Sequence, residues 1–403
     1  MDPVILNWLS SRHKPMAGLV LKWASVNSGS YNREGLTTLL NLLQEDFKVL
    51  GGQMQAVSLP PQALINHVGE PFKAPLGDAL VIAKFRPGKP RALLCIHYDT
   101  VSQKDHPFQI CRESEADILR GPGTADAKGG IAVMLTALQA FEMSAYSEGL
   151  SWEVILNPDE EIGSPGSAHL LEDAAARSDF GLLFEPSLPD GALVSTRRGS
   201  ANYSLVVRGR AAHAGRDPHL GRNAINALAE FIVELNADHS PYPGITINVA
   251  EVTGGGPLNV VPDFALCRFN VRAGDSQDEA VVKNNLESLT KKGNRRDGIS
   301  VNLHTMSRRP PKTLDQRTRA LMDHVSRCGQ ELGLILEWKP SGGASDGNIL
   351  ASKGLPVVDS LGVRGADIHS EGEFMHLDSL VERAKLTAAV LMEAAHIHWS
   401  RKQ

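Results

Sequence analysis

At 403 residues, with 42% hydrophobic and 22% charged residues, the chain is long enough for two domains with stable cores of their own. A formal net charge of -5, with neither a basic run nor a basic stripe interleaved with aromatics, gives no electrostatic case for nucleic acid, and no apolar segment approaches a membrane span. Cys95, Cys111, Cys267 and Cys328 show no C-x-x-C pairing and are too sparse for a disulfide scaffold, so a cytoplasmic protein is expected, with any metal held by His and carboxylates.

Residues 1–50 read as helical, with apolar positions at helical spacing over 16–26 and 36–50 and a break at 27–32. The opening MDPVILNWLSSRHKPM has no positive head, no adequate apolar region and no cleavage signature, so no export signal is read. ALVIAKF is a strand ending at Phe85, and a Pro-Gly-Lys-Pro turn leads into RALLCI, an apolar run expected of a parallel strand covered on both faces. That run ends abruptly in His97-Tyr98-Asp99. In an open α/β sheet ligands bind at the C-terminal ends of strands, and residues i and i+2 share a side, so His97 and Asp99 can face one site. The alternative is a core histidine satisfied by a nearby aspartate.

GPGTADAKGG then makes a tight turn carrying Asp126, followed by an apolar helix over 129–141. Its glycine spacing fits neither a P-loop nor a dinucleotide fingerprint. WEVIL (152–156) is another buried strand and ends in Asn-Pro-Asp-Glu160-Glu161, and 180–184 repeats the plan and ends in Glu185. Three strands thus deliver His97 with Asp99, Glu160 with Glu161, and Glu185 at their C-terminal ends, with Asp126 on a turn. That convergence points to one carboxylate-rich site rather than to scattered surface acids.

From Gly199 the pattern changes to strand (202–207), helix (223–235), strands (246–252 and 264–271), helix (279–292) and strand (299–304). This is the β-α-β-β-α-β order of a ferredoxin-like domain, read as an insertion. The expected division is 1–198, 199–310 and 311–403, the last part completing the first sheet. It holds a helix over 314–334, a Gly-rich loop over 341–348, a strand over 357–361 and a closing helix over 377–399. Imidazoles with several carboxylates suit Zn²⁺ or a similar divalent ion. The second histidine is expected from GADIHSEGEF as His369, with His376, read as the start of the last helix, as its competitor.

HYDTV, GPGTADAKGG, NPDEEIGSPGS, LLFEP, RAAHAG and GADIHSEGEF, in this order over about 90–380, resemble the motifs of the co-catalytic zinc peptidases and deacylases. That family includes bacterial glutamate carboxypeptidase, aminoacylase, acetylornithine deacetylase and succinyl-diaminopimelate desuccinylase. The resemblance implies an α/β/α catalytic domain with an inserted ferredoxin-like lid and dimerisation domain. It implies two Zn²⁺ per chain, with Co²⁺ or Mn²⁺ as substitutes, one held by His97 and Glu161 and the other by Glu185 and His369, and Asp126 bridging. Asp99 would fix the His97 tautomer, Glu160 would be the general base, and the Asp126-Ala127 peptide is often cis. His213 would reach the partner's active site in a homodimer and help stabilise the oxyanion. Asn259 and Arg272 match positions that bind a substrate carboxylate, Arg308 or Arg309 could add a contact, and Ser345 and Gly362 would be pocket walls. Arg197 and Arg198 read as hinge ion pairs.

The resulting expectation is a metal-dependent hydrolase of an amide or peptide whose product carries a free carboxylate. The glutamate-carboxypeptidase-like branch is favoured by GPGTADAKGG and FEP, and an N-acyl-amino-acid deacylase is the alternative. A metal-free binding protein on this fold would lack a ligand or the base, and all those positions are filled. A two-carboxylate glycosidase using Glu160 and Glu185 leaves His97, His369 and Asp126 without a role.

Overall fold

The computed structural model describes residues 2–115 and 117–396. Among them the α-helices are, in chain order, α1 (Pro3–Ser10), α2 (His13–Ala24), α3 (Arg33–Phe47), α4 (Gly130–Glu142) and α5 (Ala168–Arg177), followed by α6 (Ala224–His239), α7 (Ser276–Asn294), α8 (Gln316–Glu331), α9 (Asp346–Ser352) and α10 (Asp378–Ala394). No described helix is long and apolar enough to cross a membrane.

Strands Ser151–Asn157, Arg91–His97, Phe180–Leu183 and Val357–Val358 lie side by side and parallel, as the uninterrupted apolar runs require. Asp78–Lys84 and then Gln53–Ser58 extend the sheet antiparallel beyond Ser151–Asn157, making six strands. Both faces of the parallel part are covered. Leu94 and Ile96 pack into a core with Trp23, Leu39, Leu135 and Leu391 from α2, α3, α4 and α10, whereas Leu93 and Cys95 pack against Leu171 and Ala174 of α5 and Ile349 of α9. The period of two divides one run between two cores. Helix α4 is apolar nearly all round and correspondingly buried.

Residues from Gly199 to Arg309 build their own four-stranded antiparallel sheet, ordered Ile245–Gly254, Phe264–Ala273, Gly199–Arg208, Ser300–Arg309. Helices α6 and α7 supply Leu228, Phe231 and Leu286 to its core, and Val206 and Leu266 on the other face meet Ile65 of the first segment. The α/β sheet with an inserted antiparallel α+β unit is the architecture the sequence pattern implies.

Several local expectations change. The 341–348 stretch is not all loop: strand Trp338–Ser341 pairs in parallel with Leu193–Arg197, and Ser345 caps α9 through a capping box with Asn348. The strand expected over 357–361 is only Val357–Val358, and the closing helix α10 ends at Ala394, with 397–399 lying outside the described residues. His376 does not open that helix. It ends strand Phe374–His376 in a small sheet ordered Gly365–Ala366, Phe374–His376, Ile118–Arg120, Arg112–Glu115, which period counting could not find in strands of two to four residues. Strands Gly365–Ala366 and Phe374–His376 pair antiparallel and hold the loop that carries His369.

Helix α4 approaches the end of strand Phe180–Leu183 so closely that a Cβ on Gly130 would stand 2.0 Å from the Phe184 carbonyl oxygen. Gly130→Ala is therefore expected to lower stability by about 1–3 kcal/mol in chemical denaturation, and to disturb Glu185, the next residue.

Candidate metal centre

The sheet brings three strand ends together. His97 is the last residue of Arg91–His97, Glu160 and Glu161 lie on the turn after Ser151–Asn157, and Glu185 follows Phe184 just past Phe180–Leu183. Asp126 lies on the turn before α4, and its peptide bond to Ala127 is cis. His369 comes in from the hairpin loop at a left-handed φ of 63°.

These side chains form two triads that share Asp126. His97 Nε2 lies 3.0 Å from Asp126 Oδ1 and 3.8 Å from Glu185 Oε2. His369 Nε2 lies 3.2 Å from Asp126 Oδ2 and 3.2 Å from Glu161 Oε2. This corrects the pairing implied by the family resemblance: His97 goes with Glu185, and His369 with Glu161. The reason is strand order. Arg91–His97 and Phe180–Leu183 are neighbours with Cys95 opposite Leu183, so two residues further on His97 and Glu185 end side by side. The competitor His376 groups instead with Asp117 and Asp378.

The donor set suits a pair of divalent cations. Burial pushes Glu161 up to about 7, against its hydrogen bond to His369, and burial also raises Glu185 despite its bond to His97. Burial opposes the charge on Asp126 too, yet hydrogen bonds from His369 and His97 hold it well below the ordinary carboxylate range. Hydrogen bonds to Asp126 and Glu161 push His369 up to about 11. Buried carboxylates collected around imidazoles, which here carry the compensating charge, are what a cation pair would satisfy. One carboxylate with an oxygen toward each imidazole is the chemistry of a bridging ligand.

Asp99 faces His97, as expected of it, and does more. The nearer acceptor for His97 Nδ1 is the main-chain oxygen of Asp99, at 3.0 Å, with its carboxylate at 3.4 Å. That carboxylate accepts from Ser30 Oγ at 2.7 Å and from the backbone N–H groups of Glu160 and Glu161, each at 3.2 Å. Asp99 thus ties the His97 strand to the Glu160–Glu161 turn.

Glu160 belongs to neither triad but lines the same cavity, of about 260 Å³, together with Asp126, Glu185, Arg197, Gly343 and His369. Burial raises it well above an ordinary glutamate, and Arg309 opposes that shift. Arg309 departs from its expected part as a substrate contact. It is buried with Nη2 2.9 Å from Glu160 Oε1, and that nitrogen also donates to Glu160 O, Ser164 Oγ and Asp346 Oδ1. Arg308 points elsewhere, to Glu279. Ser345 is not a cavity wall either: its hydroxyl donates to Asp359 at 2.9 Å. Gly362 acts through close approach, since a Cβ there would stand 2.2 Å from Phe184 O and 2.6 Å from Glu185 O. Arg197 is an ion pair as read, to Asp359 at 2.6 Å, but it is buried and lines the cavity.

Arg272 is half-buried, and its pKa is lowered by burial and by the neighbouring charges of Arg198 and Arg309. His213 and Asn259 lie together on an exposed part of the inserted unit, where His213 pairs with Val260 and Ala214 N donates to Asn259 O at 2.9 Å. His213 Nδ1 accepts from the N–H groups of Gly215 and Arg216, which leaves Nε2 as the outward donor. Neither residue lines the cavity at the triads.

The sequence reading missed Glu373. Its buried carboxylate accepts from Gly123 N at 2.9 Å and from Ala125 N and Asp126 N at 3.0 Å each, holding the Asp126 turn from the far end of the His369 loop. Its partners are about 250 positions away, so no local spacing could reveal it.

Residues 93–393 match the family described as Peptidase family M20/M25/M40. Carboxypeptidase G2 of Pseudomonas sp. (strain RS-16) is 28% identical over 400 residues, 97% of this chain and 92% of that protein. The succinyl-diaminopimelate desuccinylase of Psychrobacter arcticus is 29% identical over 330 residues, 76% of this chain and 79% of that protein. Among solved structures, a tripeptidase from Staphylococcus aureus superposes with a TM-score of 0.73 at 23% identity, over 96% of this chain and 99% of that one. An M20 family metallo-carboxypeptidase from Sulfolobus solfataricus gives 0.68 at 16% identity, over 95% and 99%. At those identities the structural likeness speaks for the fold.

Replacing Asp99 by Asn turns an amide NH₂ toward backbone donors and loosens the turn that carries Glu161, while the main-chain contact to His97 stays. Chelator competition on Asp99→Asn is expected to show divalent-ion affinity about 10–100-fold weaker.

Proposed function

The chain belongs to peptidase family M20/M25/M40 and is a hydrolase of its metallopeptidase and deacylase class; within that class we propose a two-metal exopeptidase of the glutamate-carboxypeptidase kind. The observation that carries this reading is the pair of triads on Asp126 with Glu160 beside them and outside both. In it, His97, Asp126 and Glu185 hold one ion, and His369, Asp126 and Glu161 the other, with zinc the expected metal. When bound, such a pair polarises the scissile carbonyl and acidifies the attacking water. Glu160 takes the water's proton and returns it to the leaving nitrogen. Arg309 holds the Glu160 carboxylate in place and opposes the upward shift that burial gives it.

Arg272 supplies the contact for the substrate's free carboxylate. Its cation is crowded by Arg198 and Arg309, and an anion there relieves that repulsion. His213 and Asn259, exposed together and away from the triads, fit a part in the site of a second subunit, with His213 Nε2 donating to the developing oxyanion of a homodimer partner. The described cysteines are all free, in keeping with a cytoplasmic protein. The branch rests on the near full-length likeness to carboxypeptidase G2. The desuccinylase likeness supports the second reading, an N-acyl-amino-acid deacylase using the same ions and base. The metal-free reading has no empty ligand position to support it, and a glycosidase reading leaves both imidazoles idle.

The test is metal content of the wild-type protein and Glu160→Ala, with hydrolysis of C-terminal glutamyl amides and N-acyl amino acids. About two divalent ions in both proteins, with kcat lowered about 10²–10⁴-fold only in the variant, is expected, and glutamyl amides should be the better substrates. Metal-free protein after reconstitution, or hydrolysis surviving in chelator, would overturn the reading. A pH profile checks Arg309. Removing a cation beside a carboxyl favours its protonated form, so Arg309→Met is expected to move the acid limb of kcat/KM to higher pH.

A further inference from the structure

Away from the shared-aspartate centre, a second group of metal-ligating side chains lies where α8 packs on α10. His324 and Cys328 stand four residues apart on one face of α8, both buried, and Glu393 faces them from the last turn of α10. One ligand atom of each lies within 4.8 Å of the other two. We propose that His324, Cys328 and Glu393 form a structural site for a thiophilic divalent cation such as Zn²⁺, clamping the closing helix to α8.

Four observations support this. His324 Nε2 lies 3.2 Å from the Val390 main-chain oxygen, the acceptor that fixes the tautomer of a ligating histidine and leaves Nδ1 to face the cluster. His324 Nδ1 to Glu393 Oε2 is 3.6 Å. That is too long for a hydrogen bond, yet close to the roughly 3.4 Å edge of a tetrahedron built from Zn–N and Zn–O bonds of about 2.1 Å. The donor set of thiol, imidazole and carboxylate selects zinc-like ions over calcium or magnesium, whose sites are built from oxygen. Glu393 is 37% exposed, which leaves the fourth coordination position to water and gives the ion a way in. Uptake costs the thiol its proton: Cys328 binds as thiolate, His324 as neutral imidazole, and one proton leaves to solvent.

The presence of sulfur makes this site distinguishable from the other, whose ligands are nitrogen and oxygen only. Wild-type protein and Cys328→Ser, both metal-depleted, are titrated with Co²⁺ and followed by near-ultraviolet absorption, ions bound per chain and Tm. The wild type is expected to develop a thiolate-to-cobalt charge-transfer band and to bind one equivalent more than the variant. The variant should show no such band, keep its hydrolytic activity, and lose the metal-dependent rise in Tm that the extra equivalent confers. Absence of the band in the wild type, its persistence in Cys328→Ser, or equal ion counts would overturn the proposal. Should Cys328→Ser not fold, Glu393→Gln at the half-exposed corner serves instead. It is expected to keep the band while binding the extra equivalent about tenfold or more weakly, and unchanged affinity there would equally overturn the site.

Discussion

The Asp126 carboxylate, with one oxygen toward His97 and the other toward His369, is the contact on which the rest of the site depends. Everything around it serves to hold that carboxylate in place. The turn that carries it is fixed through backbone donors by Glu373, whose loop also carries His369, so one buried acid positions a member of each triad. Asp99 does the same for the opposite wall, joining the His97 strand to the Glu160–Glu161 turn. The two acids contribute no ligand atom to either triad, yet between them they govern His97, Asp126, Glu161 and His369.

Charge explains the wider arrangement. Burial pushes Glu160, Glu161 and Glu185 all toward their protonated forms. Arg309 answers Glu160 and Asp346, and Arg197 answers Asp359 strongly enough to hold it at about 2 in spite of its burial. With those arginines occupied, the charge left at Glu161, Asp126 and Glu185 falls to the imidazoles or, in the proposed function, to the metals. That division also sets Arg272 apart from the other two. Arg309 and Arg197 are committed to buried carboxylates, whereas Arg272 is crowded by other cations.

The parallel strands, the apolar helix α4 and the β-α-β-β-α-β unit were legible because each is long and periodic, and the polar ends of three strands announced a site. Strand adjacency was not legible. The order Ser151–Asn157, Arg91–His97, Phe180–Leu183 puts Glu185 beside His97, and no spacing in the chain encodes that neighbour relation. The small sheet around His369 was equally hidden, its strands being two to four residues long and drawn from positions about 250 residues apart. Arg309 and Ser345 were expected at the substrate pocket, but their partners Asp346 and Asp359 reach them through the fold, so their occupation by internal ion pairs and hydrogen bonds could not be read.

The central claim is that Asp126 joins two separate triads, and the most direct measurement is the position of the ion that remains when one triad is broken. A crystal structure of Glu161→Ala grown with limiting zinc, read by anomalous scattering at the zinc edge, locates it. The account predicts an ion among His97, Asp126 and Glu185 and a depleted position at His369. An ion held jointly by Glu185 and His369, with the His97 side empty, would contradict it.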